Sequence, residues 1–235
     1  MKYLRSQKKR NVITIITRIA IIGIASITCA LVLLLSAFNG MEKLIDQIYS
    51  EFDASITVTP KSGKTFSEKE VDWKAIESIE GVSKVAKGRE ELIVIEYGLP
   101  LHEQKDYRIK RTNAKLYAID PAFLEVIHLK EHFKGEQPVL EDAQGPLAIM
   151  GIGLINKLEA SMSAEFSIFV PKKNITVRAK EPFMKQKVYL SSVLAYQNKQ
   201  VNEETLLWPL DAFRKMVRDT TDQISHIYIR TLEGE

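Results

Sequence analysis

The hydrophobic pattern of the chain contains one long apolar run near the N-terminus, from Ile19 to Phe38, which carries no charged residue. About 20 residues in a helix span roughly 30 Å, which is the thickness of the hydrocarbon core of a bilayer. A lone segment in lipid must satisfy its own backbone hydrogen bonds and therefore has to be helical. The pattern predicts a transmembrane helix over residues 19–38, preceded by a short segment, residues 1–18.

The charges that flank this run predict its orientation. Residues 1–18 include six basic residues and no acidic one, and positively charged flanks stay on the cytoplasmic side. The N-terminus is therefore predicted to be cytoplasmic, with the chain from Gly40 onward outside. A cleaved signal peptide is the alternative, but its apolar region is normally about 7–15 residues long and ends in a small-x-small site. Cys29 is interpreted as a small apolar helix residue, because the run stays apolar after it.

Beyond the run, apolar residues recur at a spacing of three and four among charged ones. This pattern predicts an amphipathic stalk helix over residues 39–52 that continues the transmembrane helix out of the bilayer. An apolar stripe on such a helix packs on another surface, either the outer part of the same chain or a second subunit. Four residues of the stripe are the predicted contacts: Met41, Leu44, Ile48 and Phe52.

The remaining segment, residues 53–235, alternates predicted strands and helices. Alternating, β-branched segments predict strands at 53–60, 89–97, 107–119, 147–150, 166–170, 174–179, 187–196, 205–209 and 224–231. Capped, periodic segments predict helices from Ser67 to about 80, from Asp120 to about 133, after Gly153, and over 211–218. The strand–helix–strand order occurs twice around a more β-rich middle, which predicts an α+β fold with an inserted lobe.

Composition changes the picture in two respects. The chain has 33 Lys and Arg and 30 Asp and Glu, but the first 18 residues supply six of the basic groups, so the outer part is slightly acidic. The basic balance therefore reflects topology, and no nucleic-acid partner is predicted. The single cysteine lies in the apolar run, so the outer part has no disulfide.

Residues with catalytic or ligating chemistry do not form a known pattern. His128 and His132, four apart on a predicted helix, could face one Zn²⁺, but no third ligand is evident. Gly151 and Gly153 could cradle a phosphate, but the third glycine is missing and a tight turn is the favoured interpretation. The sequence has no Walker A motif, no G-x-S-x-G and no cysteine nucleophile outside the membrane. It therefore predicts no catalytic residue, no cofactor and no metal site.

Two stretches of the outer part are candidates for partner contact. Phe183 and Met184 form an apolar pair in a predicted loop, where they would be exposed to a partner or to membrane lipid. Lys105 to Arg111 alternates charged and apolar residues, which predicts either the solvated face of a strand or a partner-docking edge.

Several short motifs resemble those of one known family, and their order and spacing carry the resemblance. They are Ser6–Asn11 (SQKKRN), Phe38–Glu42 (FNGME), Ile79–Val82 (IEGV), Tyr117–Pro121 (YAIDP), Ile149–Leu154 (IMGIGL), Trp208–Leu210 (WPL) and Ile224–Ile227 (ISHI). In this order they resemble the N-terminal half of ABC-transporter permeases of the lipoprotein-releasing (LolC/LolE) and macrolide-exporter (MacB) type.

The resemblance implies a fold and a role. Residues 53–235 would be a two-lobed periplasmic core domain, with a porter-like lobe (about 53–115 and 186–235) interrupted by a second lobe (about 116–185). Permeases of this type lie in the bacterial inner membrane, pair as homo- or heterodimers and bind a cytoplasmic ABC ATPase, whose hydrolysis moves the periplasmic domains through the stalks. In the lipoprotein-releasing branch the cargo is a lipoprotein, which passes to a periplasmic carrier. Three further membrane helices follow this half in the family.

The chain itself would not be an enzyme on this interpretation, because ATP hydrolysis belongs to the partner subunit. Two alternatives stay open on the sequence. One is a single-pass, membrane-anchored binding or sensor domain without an ATPase. The other is a hydrolase behind an uncleaved anchor, which would need a convergent set of catalytic residues in one pocket.

Overall fold

A computed structural model describes residues 12–50, 54–100, 107–127, 132–134, 138–161, 164–172, 182–196 and 198–232. The chain divides into two compact units, with the boundary between Gln47 and Ile48. The first unit is built on the helix α1, Val12–Ser50.

Helix α1 is longer than the predicted transmembrane segment at both ends. Its stretch from Val12 to Met41 is long and apolar enough to cross a membrane. Two threonines within it, Thr17 and Thr28, donate their hydroxyls to carbonyls four residues back, so these polar side chains are satisfied inside the helix. The helix continues beyond Phe38 as far as Ser50, and a stalk that leaves the bilayer over 39–52 stays a prediction.

The second unit is built around one large sheet. Among the described residues, ten strands belong to it: β1 Ile56–Val58, β3 Val82–Pro100, β4 Tyr107–Ile119, β5 Phe133–Lys134, β6 Glu141–Asp142, β7 Gly145–Gly151, β8 Glu165–Pro171, β9 Phe183–Leu194, β10 Thr205–Pro209 and β12 His226–Thr231. A separate pair consists of β2, Phe66–Ser67, and β11, Gln223–Ile224. The predicted strand at 174–179 lies outside the described residues.

Six of these strands are hydrogen-bonded in a closed circuit. Going round it, β3 pairs antiparallel with β4, β4 parallel with β10, β10 antiparallel with β7, β7 parallel with β9, β9 antiparallel with β8, and β8 antiparallel with β3. The hairpin of β3 and β4 is in register from Gly88 paired with Ile119 to Pro100 paired with Tyr107. This long hairpin therefore has strand neighbours along both of its edges. Strands β12 and β8 pair with β3, and β10 pairs with β4.

Residues alternate between two hydrophobic clusters along the central strands. On β10, Leu206 and Trp208 belong to the larger cluster and Leu207 to the smaller one. On β7, Met150 belongs to the larger cluster and Ile149 to the smaller one. Both faces of these strands are therefore buried, which explains their nearly continuous apolar sequence.

The helices of the second unit are short and cover the sheet. They are α2 Trp73–Glu77, α3 Phe123–Val126, α4 Ile152–Leu158, α5 Lys199–Glu204 and α6 Leu210–Val217. The prediction of one helix starting at Ser67 is wrong: Ser67 caps a single 3-10 turn, and α2 begins later with Asp72 as its cap. The helix predicted from Asp120 to about 133 is also too long, because Phe133 pairs with Leu194 in the sheet.

The division of the second unit into two lobes stays a prediction. The boundary predicted near residue 115 falls inside β4. Strand β10, from the predicted porter-like lobe, pairs with β7, from the predicted inserted lobe.

Candidate functional site

The described part of the second unit contains a groove of about 1820 Å³. One wall is formed by residues 89–92 of β3, and the second by the end of β8 and the start of β9. The third wall runs from the end of α6 to the start of β12. The groove therefore lies where four strands, β3, β8, β9 and β12, meet the end of α6.

The groove follows a stretch of β3 that lacks a strand neighbour on one side. On that side β3 pairs with β12 as far as Gly88 and with β8 from Val94 onward, and no described residue pairs with the stretch between them. Side chains from both faces of the strand, including Glu91 on one face and Leu92 on the other, line the groove. This is the arrangement expected at an open strand edge.

A buried arginine anchors the floor of the groove. The Arg89 side chain is only 3% exposed, and its guanidinium donates to Asp219 and to Glu91, each at 3.0 Å. It also lies over the ring of Phe213, 5.1 Å from the ring centre. The two carboxylates compensate the buried charge, so this cation is held by the protein and is not offered to a ligand.

Asp219 is the hub that orders the loop between α6 and β11. Its carboxylate accepts hydrogen bonds from the backbone N–H groups of Thr221 and Gln223 and from the Thr221 hydroxyl. Burial alone would raise the pKa of Asp219, but these hydrogen bonds and the charge of Arg89 outweigh it and hold the pKa below its ordinary value.

The structure also brings together a serine, a histidine and a carboxylate at the groove. The Ser225 hydroxyl lies 2.5 Å from Nδ1 of His226, whose Nε2 lies 3.5 Å from Oε1 of Glu90. The Ser225 side chain is buried, at 3% exposed, and accepts the backbone N–H of Glu90 at 2.8 Å. A nucleophile must reach its substrate, and this hydroxyl instead ties the start of β12 to β3.

Glu90 is held from several directions on the outer face of the sheet. The Tyr228 hydroxyl donates to it at 3.0 Å, and Lys115 forms an ion pair with it. Burial lowers the pKa of His226 below its ordinary value, and the nearby charge of Glu90 offsets this only in part. No local sequence pattern indicates this cluster, because its members come from β3, β4 and the start of β12.

The apolar pair predicted to contact a partner or membrane lipid lies at the groove. Phe183 and Met184 both line the groove. The prediction that they lie in a loop is wrong, because they begin β9. Phe183 is 43% exposed, whereas Met184 is half-buried against the larger hydrophobic cluster.

The stalk residues are described only in part. Met41 lies on α1 with an exposed side chain. Leu44 and Ile48 lie within the helix, but their side chains are outside the described set, as is the whole of Phe52. Of the stretch from Lys105 to Arg111, the described part belongs to β4.

The glycine pair at the start of α4 has a packing role. A Cβ on Gly151 would overlap the backbone carbonyl of Asn202, and one on Gly153 would lie 2.7 Å from Cγ of Glu203. The pair thus lets α4 approach α5 closely, so the small residues are needed for helix packing rather than for a tight turn. His128 lies outside the described residues, and His132 packs edge-on against Tyr196. The described residues contain no group of three side chains suited to hold a metal ion.

Comparison with known proteins identifies the family. A family model described as the MacB-like periplasmic core domain matches residues 17–235. The chain belongs to this family. The resemblance drawn from the sequence motifs, to ABC-transporter permeases of the MacB and LolC type, is thereby confirmed.

Two solved structures are similar to this MacB-like chain. The periplasmic region of MacB from Actinobacillus actinomycetemcomitans is 11% identical, with a TM-score of 0.48, and the match covers 82% of this chain and 81% of that one. The extracellular domain of the noncanonic ABC-type transporter YknZ from Gram-positive bacteria is 13% identical, with a TM-score of 0.44, and the match covers 74% and 76%. No curated protein sequence matches the chain.

Family membership indicates in which part of a transporter the groove lies. The MacB-like chain is a component of an ABC transporter, a membrane-anchored permease with an extracytoplasmic domain. The groove lies in that domain, so a ligand that enters it is one available outside the cytoplasm.

Proposed function

We propose that this MacB-like chain is the N-terminal part of a permease that couples ATP hydrolysis to movement of its extracytoplasmic domain. That movement drives the release of lipoproteins from the bacterial inner membrane. Hydrolysis takes place on a separate cytoplasmic ABC ATPase, and a second permease subunit completes the dimer. The carrying observation is that one family model matches residues 17–235, a range that begins within the membrane helix and includes the second unit.

The continuity of α1 supports mechanical coupling. The helix has 39 residues, which corresponds to about 58 Å at 1.5 Å per residue, roughly twice the hydrocarbon thickness. An unbroken helix of this length transmits displacement along its axis. Met41, Leu44, Ile48 and Phe52 are the proposed contacts of this stalk with a second subunit.

The lipoprotein branch is favoured by the FNGME segment, Phe38–Glu42, at the outer end of the membrane helix, which resembles that branch. On this proposal the extracytoplasmic domain receives the lipoprotein and passes it to a periplasmic carrier, with the N-terminus cytoplasmic. Phe183, on the wall of the groove, is the proposed exposed apolar contact for a partner or for membrane lipid.

The test separates coupling from assembly. A Gly-Gly-Ser insertion after Met41 interrupts α1 at the start of the stalk. The same insertion after Lys61, in an exposed bend of the second unit, is the matched control. Each variant is expressed in the native host with a tag, purified in mild detergent and examined for a co-purifying ABC ATPase. ATP-dependent appearance of lipoproteins in the soluble fraction of spheroplasts is the functional measurement.

The expected result is that the ATPase co-purifies with all variants and that only the stalk insertion abolishes lipoprotein release. If release is normal in a deletion strain while export of a small molecule is lost, the lipoprotein cargo is wrong and the exporter class is right. If no ATPase co-purifies with the unmodified chain, the permease proposal fails and a single-pass anchored binding domain takes its place.

A further inference from the structure

Between Gly88 and Val94, no described strand pairs with β3 on the side of the groove. On the β4 side, the Lys87 N–H donates to the Asp120 carboxylate and the Lys87 carbonyl accepts the Asp120 N–H. On the other side, the Gly88 carbonyl accepts the backbone N–H of Ser225, and the Glu90 N–H donates to the Ser225 hydroxyl. Backbone groups alternate sides along a strand, so the N–H and C=O of Leu92 are directed to the side of Glu90. That is the side on which no described strand pairs with Leu92.

The Leu92 side chain adds an apolar surface at the same point. It is 74% exposed, although it lies in the middle of a long strand. Phe183 stands on the wall formed by β9. The groove thus offers backbone donors and acceptors together with apolar contacts, which is what an extended peptide uses when it adds to a strand edge.

The charge around the groove is predominantly positive. Seven lysine and arginine residues line it against three carboxylates. The carboxylates are already engaged, since Glu91 and Asp219 hold Arg89 and Glu90 holds Lys115. Four lining cations make no ion pair with any described residue: Lys64, Lys172, Lys215 and Arg218.

Arg218 occupies this rim at a conformational disadvantage. It ends α6 in the left-handed conformation, with φ at 52°, a position that helices usually give to glycine. Arg218 thus carries a long cationic side chain in a backbone conformation that favours glycine, beside a groove lined by other cations.

We propose that the groove binds an extended acidic segment of a partner protein, which lies along the open edge of β3 at Leu92 and places its carboxylates against Lys64, Lys172, Lys215 and Arg218. The inference rests on the proposed function in one respect, namely that an extracytoplasmic partner of the permease carries the segment. Anionic lipid would satisfy the cations but not the directed N–H and C=O of Leu92, so the open strand edge favours a peptide.

The binding test uses the full chain in uncharged detergent micelles and a fluorescent peptide that alternates Glu with Val. A peptide that alternates Lys with Val is the control ligand. We expect saturable binding of the acidic peptide only, weakened by raising the ionic strength from about 0.05 M to about 0.5 M, because the charged contacts are screened. Hydrogen exchange, followed by mass spectrometry, should slow at residues 90–94 when the peptide binds.

Matched variants locate the site. Lys64→Glu with Lys215→Glu should weaken binding by about tenfold or more, whereas Lys74→Glu with Lys134→Glu, the same charge change at exposed positions that do not line the groove, should leave it within about twofold. Arg218→Gly should weaken binding while suiting the left-handed backbone, so a folding defect cannot account for the loss.

Three outcomes would overturn the inference. They are equal binding of both peptides, equal effects of the two double variants, and binding without slowed exchange at residues 90–94. Preference for anionic phospholipid vesicles over the peptide would assign the cations to a membrane surface instead. Peptide binding is measured without ATPase or lipoprotein, so its failure leaves the proposed permease function standing, and failure to recover an ATPase leaves the peptide result standing.

Discussion

At the scale of single residues, burial of charge is the dominant feature of the groove. Arg89 shares the inward face of β3 with the apolar Ile93 and Ile95, so its ion pairs with Asp219 and Glu91 are shielded from water. A buried ion pair adds little net stability compared with an apolar replacement of the whole set, but removing one partner leaves uncompensated charge. The node formed by Arg89, Asp219 and Glu91 also orders the loop from α6 to β11 through Asp219, so the shape of the groove depends on this node.

The first prediction concerns this node. Arg89→Met should lower the free energy of unfolding by about 3–5 kcal/mol, because two shielded carboxylates lose their cation. Adding Asp219→Asn should recover part of the loss. Lys69→Met, which breaks the exposed ion pair with Asp222, should cost far less, because water screens that pair. Urea unfolding of the full chain in micelles, followed by the fluorescence of the buried Trp208, is the measurement. A loss at Arg89 no larger than at Lys69 would contradict the prediction.

The second prediction concerns pH and His226. Burial lowers the pKa of His226 in the folded chain, so the unfolded chain, whose histidines titrate near about 6.5, takes up the proton first. The stability of the folded state should therefore fall as pH decreases from about 7 toward 5. The groups that face the ring are Glu90, Lys115 and the Ser225 hydroxyl.

The measurement compares unfolding of the unmodified chain and His226→Gln across this pH range. The variant should lose the acid-side decline. Burial raises the pKa of Asp120, which gives a slope of opposite sign, but it does so in both proteins and cancels in the difference. An identical pH dependence of the two proteins would show that His226 does not titrate as described.

The groove itself was beyond sequence reasoning for a physical reason. Its walls come from segments around Lys64, Leu92, Phe169, Phe183 and Arg218, which only the strand pairings bring together. Local patterns describe what one segment buries, whereas an open strand edge is a property of its neighbours. The exposed Phe183 was singled out from its sequence, but its place in a wall needed the pairing of β8 with β9.

At the scale of elements, strands with a clear pattern and the helix predicted over 211–218 agree with the structure, whereas the helices predicted from Ser67 and from Asp120 are too long. The bounds of β4 and β10 agree with the predicted 107–119 and 205–209, because branched and apolar residues alternate or run together there. The helix predicted from Asp120 failed although its capping signal is real: the Asp120 carboxylate accepts the N–H of Phe123 at 3.1 Å. Sheet pairing of Phe133 overrides the local propensity that would extend that helix.

The third prediction tests the close approach of α4 and α5. Gly151→Ala should destabilise the chain by about 1–3 kcal/mol, because its Cβ meets the backbone of Asn202, which cannot move aside cheaply. Gly153→Ala should cost less, since its nearest obstacle is the flexible side chain of Glu203. Gly40→Ala, in α1 with nothing within 4 Å, should be neutral or slightly stabilising because alanine favours helix. Any other order of the three unfolding energies would refute this account.

At the scale of the whole molecule, the two units have different physical requirements. The first unit exposes a continuous apolar helix that only lipid or other membrane helices can cover, whereas the second buries its apolar residues in two clusters and surrounds its groove with charge. Transport by a permease needs these units to act together, and the helix that runs through the boundary at Gln47 is the covalent link between them.

The last prediction fixes the orientation of this arrangement. Cys29, the single cysteine, lies within the apolar stretch of α1, so in intact cells it should resist a membrane-impermeant maleimide and react only after the membrane is dissolved. In a Cys29→Ser background, Lys43→Cys should react from outside, whereas Ser6→Cys should react only after the inner membrane is opened, because the six basic residues of 1–18 stay in the cytoplasm. Lys199→Cys, exposed on α5, controls for access to the second unit. Reaction of Ser6→Cys from outside, with protection of Lys43→Cys and Lys199→Cys, would place the groove in the cytoplasm and exclude both an extracytoplasmic partner and the proposed release of lipoproteins.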